Sequence, residues 1–210
     1  DFFIIEHGRD IIKAKTKAVP PEGNLIRVAV IGVSGAFKGA LLLKSIIKQN
    51  AKHMKRRPHD VKFEFHIFGK IDRSLPIQFP GVINHGPYER DLLSEYLDKI
   101  KPSFSIIPSI VPESYCHTLT ESWFYGMPVF GSDIGAIRER ILKYGGGWLL
   151  DYRDPKKWFM QMIKMARDSK EYQKRIKEIE EMYFKSVKEM TAEYVQIYRG
   201  LSQAKQTTKF

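Results

Sequence analysis

Apolar positions along this chain switch repeatedly between two periods. IRVAVIGV at 26–33 is β-branched and almost wholly apolar, which predicts a parallel strand covered on both faces. FKGALLLKSIIKQNAKHM at 37–54 follows with helical spacing, and Leu41, Leu42, Ser45, Ile46 and Gln49 share its faces. VKFEFHIFG and GVINHG then read as strands, RDLLSEYLDKI as a helix and SFSIIPS as a strand. LTESWFYG is predicted to be a helix closed by Gly126, with Pro128 just beyond as a stop. PVFGS is a strand, IGAIRERILKYG a helix and GWLLD a last strand, and from Pro155 onward the pattern is helical. Ahead of the first strand, AVPPEGN reads as a linker.

Strands and helices therefore alternate, with about six strands. The fold class expected is α/β, a Rossmann-like doubly wound parallel sheet with right-handed crossovers and a helical C-terminal extension. Such sheets bind ligands at the carboxyl ends of their strands. The loops to read are GVSGAFKG (32–39), FGKID (68–72), HGPYER (85–90) and PSIVPESYCHT (108–118).

Composition narrows the field without changing that outline. The chain has 210 residues and an ordinary globular composition, enough to bury a substantial core. No apolar run approaches the roughly 18 residues of a membrane span. A single cysteine, Cys116, rules out an internal disulfide and thiolate-rich zinc sites, so a reducing, cytoplasmic setting is expected. The six histidines are scattered and no HExxH, DxD or HxH pair occurs, so no metal site is expected. Net charge is +11, from 35 basic and 24 acidic residues, which favours anionic partners. The densest cluster, KHMKRR at 52–57, lacks the interleaved aromatics of a single-strand binder, and no nucleic-acid partner is expected. A helix end with basic residues facing its negative dipole explains the cluster as well.

Two loops carry candidate chemistry. In GVSGAFKG, Gly32 and Gly35 permit a tight turn and close approach of a ligand, and Lys38 stands where a helix start already favours an anion. The loop is no Walker motif, since it has no GK[ST]. It is near a dinucleotide fingerprint with Lys38 in place of the third glycine, and a plain strand-to-helix turn also fits. In PESYCHTLTE, a helix starting near His117 would point the amides of Cys116, His117, Thr118 and Leu119 into the same crevice. Glu113 precedes that helix and Glu121 lies about one turn inside it, so the two could accept hydroxyl hydrogen bonds from different parts of one ligand. Cys116 beside His117 invites a nucleophile–base reading, but adjacent helix residues diverge, which favours a structural role. At the other strand exits Gly69, Lys70, Pro87 and Tyr88 could frame a base or phosphate.

Together these pieces resemble the C-terminal, donor-binding half of a GT-B glycosyltransferase of family four. IEHGRD resembles the family's "phGvD" entry element, AFKGALLL its "KG…LL" phosphate loop, and FHIFGK its "l.ivG.G". VINHGPYERDLLSEYL resembles "v.f.G.v….l…y", and MTAEYVQIYRGL the closing helix. The most specific match is PESYCHTLTESWFYGMPVFGSDIGAIRERI, which resembles "PS..E.fgl..lEAma.G.PVvas..gg..E.i". The form YCHTLTE resembles modules of multi-domain enzymes of bacterial or viral surface-polysaccharide synthesis.

The resemblance implies a retaining, metal-independent transfer from a nucleotide-diphosphate sugar, with no other cofactor. Lys38 would hold the donor diphosphate, Glu121 the ribose and Glu113 the donor sugar. Cys116, His117, Thr118 and Leu119 would supply amides, Gly35 would line the phosphate loop, and Gly69, Lys70, Pro87 and Tyr88 would cradle the base. Lys38 and Glu113 are the expected catalytic contributors. The chain would divide into an entry segment at 1–24, a nucleotide-sugar-binding domain at 25–168 and a helical extension and tail at 169–210. The acceptor, a glycan or lipid-linked glycan, would bind the N-terminal half of such an enzyme, which is expected to be missing here, leaving this chain inactive alone. A cytoplasmic location with peripheral association at the inner face of the membrane follows. Two departures stand out: Val33 replaces the family's arginine, and Cys116 replaces a glycine, narrowing the space for the sugar. Two other classes compete. A nicotinamide-dependent dehydrogenase would need an acidic residue about 20 residues past the glycine loop, where QNAKHMKRRP is basic. A non-catalytic module would dock its basic face on membrane or nucleic acid.

Overall fold

The computed structural model describes residues 3–10, 18–32, 35–70 and 79–207, the last five by backbone alone. Val33 and residues 71 and 72 of the FGKID loop lie outside the described residues. The elements are β1 Leu25–Ile31, α1 Ala40–Arg56, β2 Lys62–Phe68, β3 Val82–Gly86, α2 Leu93–Ile100, β4 Phe104–Ile107, α3 His117–Phe124, β5 Val129–Ser132, α4 Gly135–Tyr144, β6 Gly147–Leu150, α5 Pro155–Arg167, α6 Ser169–Glu180 and α7 Val187–Thr207. The strands form one six-stranded sheet in the order β3-β2-β1-β4-β5-β6, and every neighbouring pair runs parallel. This is the doubly wound Rossmann-like arrangement that the alternation predicts.

Burial follows position in the sheet. Every residue of the central strands β4 and β5 is buried, as expected of strands covered on both faces. The edge strand β3 is polar and largely exposed, and Ile83 lies open to solvent. The core joins β1, β2, β4 and β5 to Leu42, Leu43, Ile46 and Ile47 of α1 and to Trp158, Phe159 and Met162 of α5. Each such side chain contributes about 2 kcal/mol by leaving water.

The inward face of α1 is rotated from the one the spacing suggests. Leu42 and Ile46 point inward, but Leu41 is half exposed and Asn50, rather than Gln49, is buried. Asn50 is satisfied in both directions by one backbone residue: its Nδ2 donates to the Phe63 carbonyl at 2.7 Å, and the Phe63 N–H donates to its Oδ1 at 3.0 Å. A buried amide paired in this way ties α1 to β2 and avoids the cost of an unmet polar group.

Helix ends follow local rules. Beyond α3, Gly126 adopts a left-handed φ of 73°. Its N–H donates to the Trp123 carbonyl, and the Met127 N–H donates to that of Ser122, a Schellman closure. Asp154 caps α5, accepting from the Lys157 N–H, with Pro155 at the first helical position.

The described residues group into two compact units. The larger holds the sheet and α1 to α6, within Lys13–Met182; the smaller comprises the described parts of Asp1–Ile12 and Tyr183–Phe210. In the smaller unit Asp10 Oδ1 accepts the Val187 N–H at the start of α7, and the Arg9 N–H donates to the Lys185 carbonyl. IEHGRD is thereby pinned to the opening of the last helix.

Candidate functional site

β1 and β4 are adjacent at the middle of the sheet, and the strand order reverses between them. Their parallel directions bring the loops that leave their carboxyl ends to the same edge. Those loops interlock. Gly39 takes a φ of 80°, and a Cβ there would sit 1.6 Å from the Pro108 carbonyl oxygen, so only glycine permits this approach. The Ile110 N–H donates to the Phe37 carbonyl at 3.2 Å. Between the loops Ala36–Lys38 form a single 3₁₀ turn. Gly35 is extended, with open space where a side chain would be, so it clears the loop rather than supplying an unusual turn.

The second wall is the start of α3. His117 is its first residue, and no acidic residue occupies its first turn, so the nearest carboxylate is that of Glu113 beside the capping Cys116. A Cβ on Gly32 would lie 3.6 Å from Thr118 Oγ1, which places the end of β1 directly against this helix start. The Leu119 N–H turns back to the Cys116 carbonyl at 3.1 Å, and the Leu119 side chain is wholly buried. His117 sets its ring edge-on to Tyr115.

Cys116 precedes α3 with φ 66° and ψ 79°, one of two non-glycine residues at positive φ among those described. Its side chain is buried, and its thiol is pushed up to about 12, first by that burial and then by the carboxylate of Glu113. Such a thiol stays protonated and is a poor nucleophile. Among the described residues, no three His, Cys, Asp or Glu side chains gather in a group that could hold a metal.

The two glutamates meet different cations. Glu113 Oε1 lies 2.9 Å from Lys38 Nζ, joining the two loops across the strand reversal. Glu121 is almost fully buried on α3, and its Oε1 lies 3.4 Å from Arg90 Nε. Arg90 begins a short 3₁₀ turn, Arg90–Leu92, that leads into α2. The chain just before it carries Pro87 and Tyr88, so this pair links the β3 exit to α3. There, Tyr88 sets its ring edge-on to Phe68 at 6.0 Å, the Gly69 N–H donates to the Gly86 carbonyl at 2.8 Å, and Lys70 and Pro87 are exposed.

The structure thus brings Lys38, Glu113, Cys116 and Thr118 together at the strand reversal. Glu121 joins them through α3, while Gly69, Lys70, Pro87 and Tyr88 line the neighbouring strand ends.

Two arginines that the sequence did not single out hold this arrangement. Arg90 is one. The other is Arg140 of α4, whose guanidinium donates to the carbonyls of Tyr115 (3.0 Å) and Cys116 (3.2 Å) and to Thr120 Oγ1 (2.9 Å). It also lies over the Tyr115 ring, 4.1 Å from its centroid. The start of α4 adds a further tie, because the Ala136 N–H donates to the Glu113 carbonyl at 3.0 Å. Partners 24 and 25 residues upstream leave no local signal for Arg140.

No family model matches the chain. No curated protein matches it either. Solved structures do. A glycosyltransferase from Rickettsia africae ESF-5 superposes with a TM-score of 0.59 at 17% identity, over 83% of this chain and 48% of that one. The lipopolysaccharide outer core galactosyltransferase WaaB gives 0.63 at 20% identity, over 91% and 54%. A sucrose-phosphate synthase from Thermosynechococcus elongatus gives 0.58 at 17%, over 89% and 47%. The chain has the Rossmann-like fold of a GT-B glycosyltransferase domain, and it spans about half the length of the structures it matches.

Proposed function

We propose that this chain is the donor-binding half of a retaining glycosyltransferase of family four, acting in surface glycan or polysaccharide synthesis. The observation that carries the reading is the meeting of Lys38, Glu113 and the start of α3 at the strand reversal. A nucleotide-diphosphate sugar laid across that point would set its diphosphate against the α3 amides and Lys38. Glu121 would accept from the ribose hydroxyls, Glu113 would face the sugar, and the β2 and β3 exits would hold the base. Lys38 is half exposed while Glu113 is mostly covered, and with its cation open to solvent the pair is worth about 1 kcal/mol. A diphosphate with its greater charge would draw Lys38 toward itself and release Glu113 for the sugar. Once the donor is bound and Lys38 has turned to it, Lys38 and the helix start would stabilise the charge that develops as the bond to the leaving diphosphate breaks.

Residues 25–168 would carry this chemistry without a metal. The acceptor, a glycan or lipid-linked glycan, would bind residues outside this sequence, in keeping with the half-length match. A dehydrogenase is less well supported. The second strand of such a domain ends near a carboxylate that holds the ribose, whereas β2 ends at Phe68 and is followed by Gly69 and Lys70.

Thermal shift against uridine, guanosine and thymidine diphosphates and NADP tests the reading. A diphosphate should raise the melting temperature, and Lys38→Ala and Glu121→Ala should each abolish the rise. Stabilisation by NADP with no response to any diphosphate would overturn it, as would sugar transfer by the isolated chain.

A further inference from the structure

A concave site lies away from the strand reversal, between the C-terminal end of α1, the loop to β2, and α5. It encloses about 400 Å³. Its floor is apolar, built from Phe159, Met160 and Ile163, and Met160 is 63% exposed. Four permanent cations, Lys52, Arg56, Arg57 and Arg167, stand around it against one carboxylate, Asp60. Asp60 is already shared by Arg167, Arg57 and the Val61 N–H, and one carboxylate against four cations leaves a net of three positive charges.

The KHMKRR cluster alone would be explained by the dipole at the end of α1. That account does not cover Arg167, which arrives from α5 over a separation of 107 residues. Nor does it cover the continuation along α5, where Lys156, Met160, Lys164 and Arg167 recur at helical spacing and are exposed. A second hollow shares Met160, Ile163 and Arg167 with the first and adds Lys164 and Lys170 against one further carboxylate, Asp168.

We propose that this face docks on an anionic phospholipid bilayer. Lys52, Arg56, Arg57 and Arg167 would take the lipid phosphates, and Met160 would enter among the first acyl carbons. Charge complementarity argues for this occupant: a basic rim around an apolar floor matches a surface that is anionic at its headgroups and apolar just beneath. A polynucleotide would find cations here but no line of exposed aromatic rings on which to stack its bases. Among the described residues no helix is long and apolar enough to cross a membrane, so the contact would be peripheral. The face is independent of the donor site. It would hold the chain at a membrane surface while leaving the strand reversal free.

Co-sedimentation with phosphatidylcholine vesicles, with and without phosphatidylglycerol, tests this directly. The chain should pellet with the anionic vesicles alone, and added salt should release it. Lys52→Glu with Arg56→Glu should weaken partition by about thirty-fold or more, since each basic group lost near an anionic surface costs about a factor of five and the added carboxylates repel it further. Met160→Gln should weaken it with every charge on the face unchanged. Lys174→Glu with Lys177→Glu, an equal charge change on α6, should bind nearly as the parent. Diphosphate thermal shifts run on the same variants separate this face from the donor site, because they should be unchanged whether or not the vesicles bind. Equal partition to neutral vesicles, or equal loss with the α6 control, would overturn the proposal. Tighter binding to single-stranded RNA than to anionic vesicles would overturn it in favour of a nucleic-acid surface.

Discussion

Cys116 holds a left-handed backbone that costs a residue with a Cβ about 1–2 kcal/mol. The resemblance to family four places a glycine there, and the backbone still has the form glycine would choose. Replacing Cys116 should therefore invert the usual ranking of small residues. Cys116→Gly relieves the backbone, whereas Cys116→Ala keeps the strain and loses the buried sulfur. The glycine variant should melt at or above the alanine variant, which calorimetry can check. The same side chain sets an alkaline limit. Its folded pKa of about 12 lies above the ordinary 9.0, so its contribution is whole below pH 9 and is lost as pH rises toward 12. Urea midpoints of the parent should fall over that window more than those of Cys116→Ala. Cys116 was legible as the stand-in for a glycine, but its burial against Glu113 was not.

At the scale of elements, α3 was almost fully legible. Its start near His117 and its closure at Gly126 follow from local chemistry: glycine tolerates the left-handed turn and Pro128 ends the run. What holds α3 in place was not legible, because Arg140 reaches it from α4. Arg140 acts as a positioning residue, clamping the turn that carries Glu113 and Cys116. Arg140→Ala should lower stability by about 2 kcal/mol, the scale of charge-assisted hydrogen bonds left unmade. It should also weaken diphosphate binding, with Lys38 and Glu121 intact. Arg140→Lys should not restore either, since an ammonium cannot span three acceptors and stack on Tyr115. Denaturant titration and nucleotide titration of both variants would show this, and full recovery by lysine would reduce Arg140 to a simple charge. The inward turn of Asn50 in α1 has the same origin. Gln49 and Asn50 are equally polar in sequence, and only the Phe63 backbone selects between them.

At the scale of the molecule, Asp60 joins the loop after α1 to Arg167 of α5 and contributes to the response to acid. Asp60 is held below the ordinary carboxylate range, chiefly by the Val61 N–H and next by Arg167. Because the folded value is depressed, its stabilisation is present above pH 3.8 and is lost as pH falls through the folded value. Asp60→Asn should flatten the acid limb of the stability profile below pH 4, measured by circular dichroism against pH. Diphosphate binding at neutral pH should be unaffected, since the residue lies away from the strand reversal.

The sequence by itself determined the order and type of the elements and placed Lys38, Glu113 and Glu121 at or near strand exits. It could do so because periodicity, turn residues and helix-end signals are local, acting over a few residues. The tertiary structure alone decided which of those groups meet. Lys38 faces Glu113 and Glu121 faces Arg90 because the sheet reverses between β1 and β4, and the close approach at Gly39 locks the two loops together. It also decided that Arg167 joins the basic end of α1, turning a charge cluster into a walled cavity. Such contacts depend on strand order and the packing of whole helices, and no short stretch of sequence contains both of their partners.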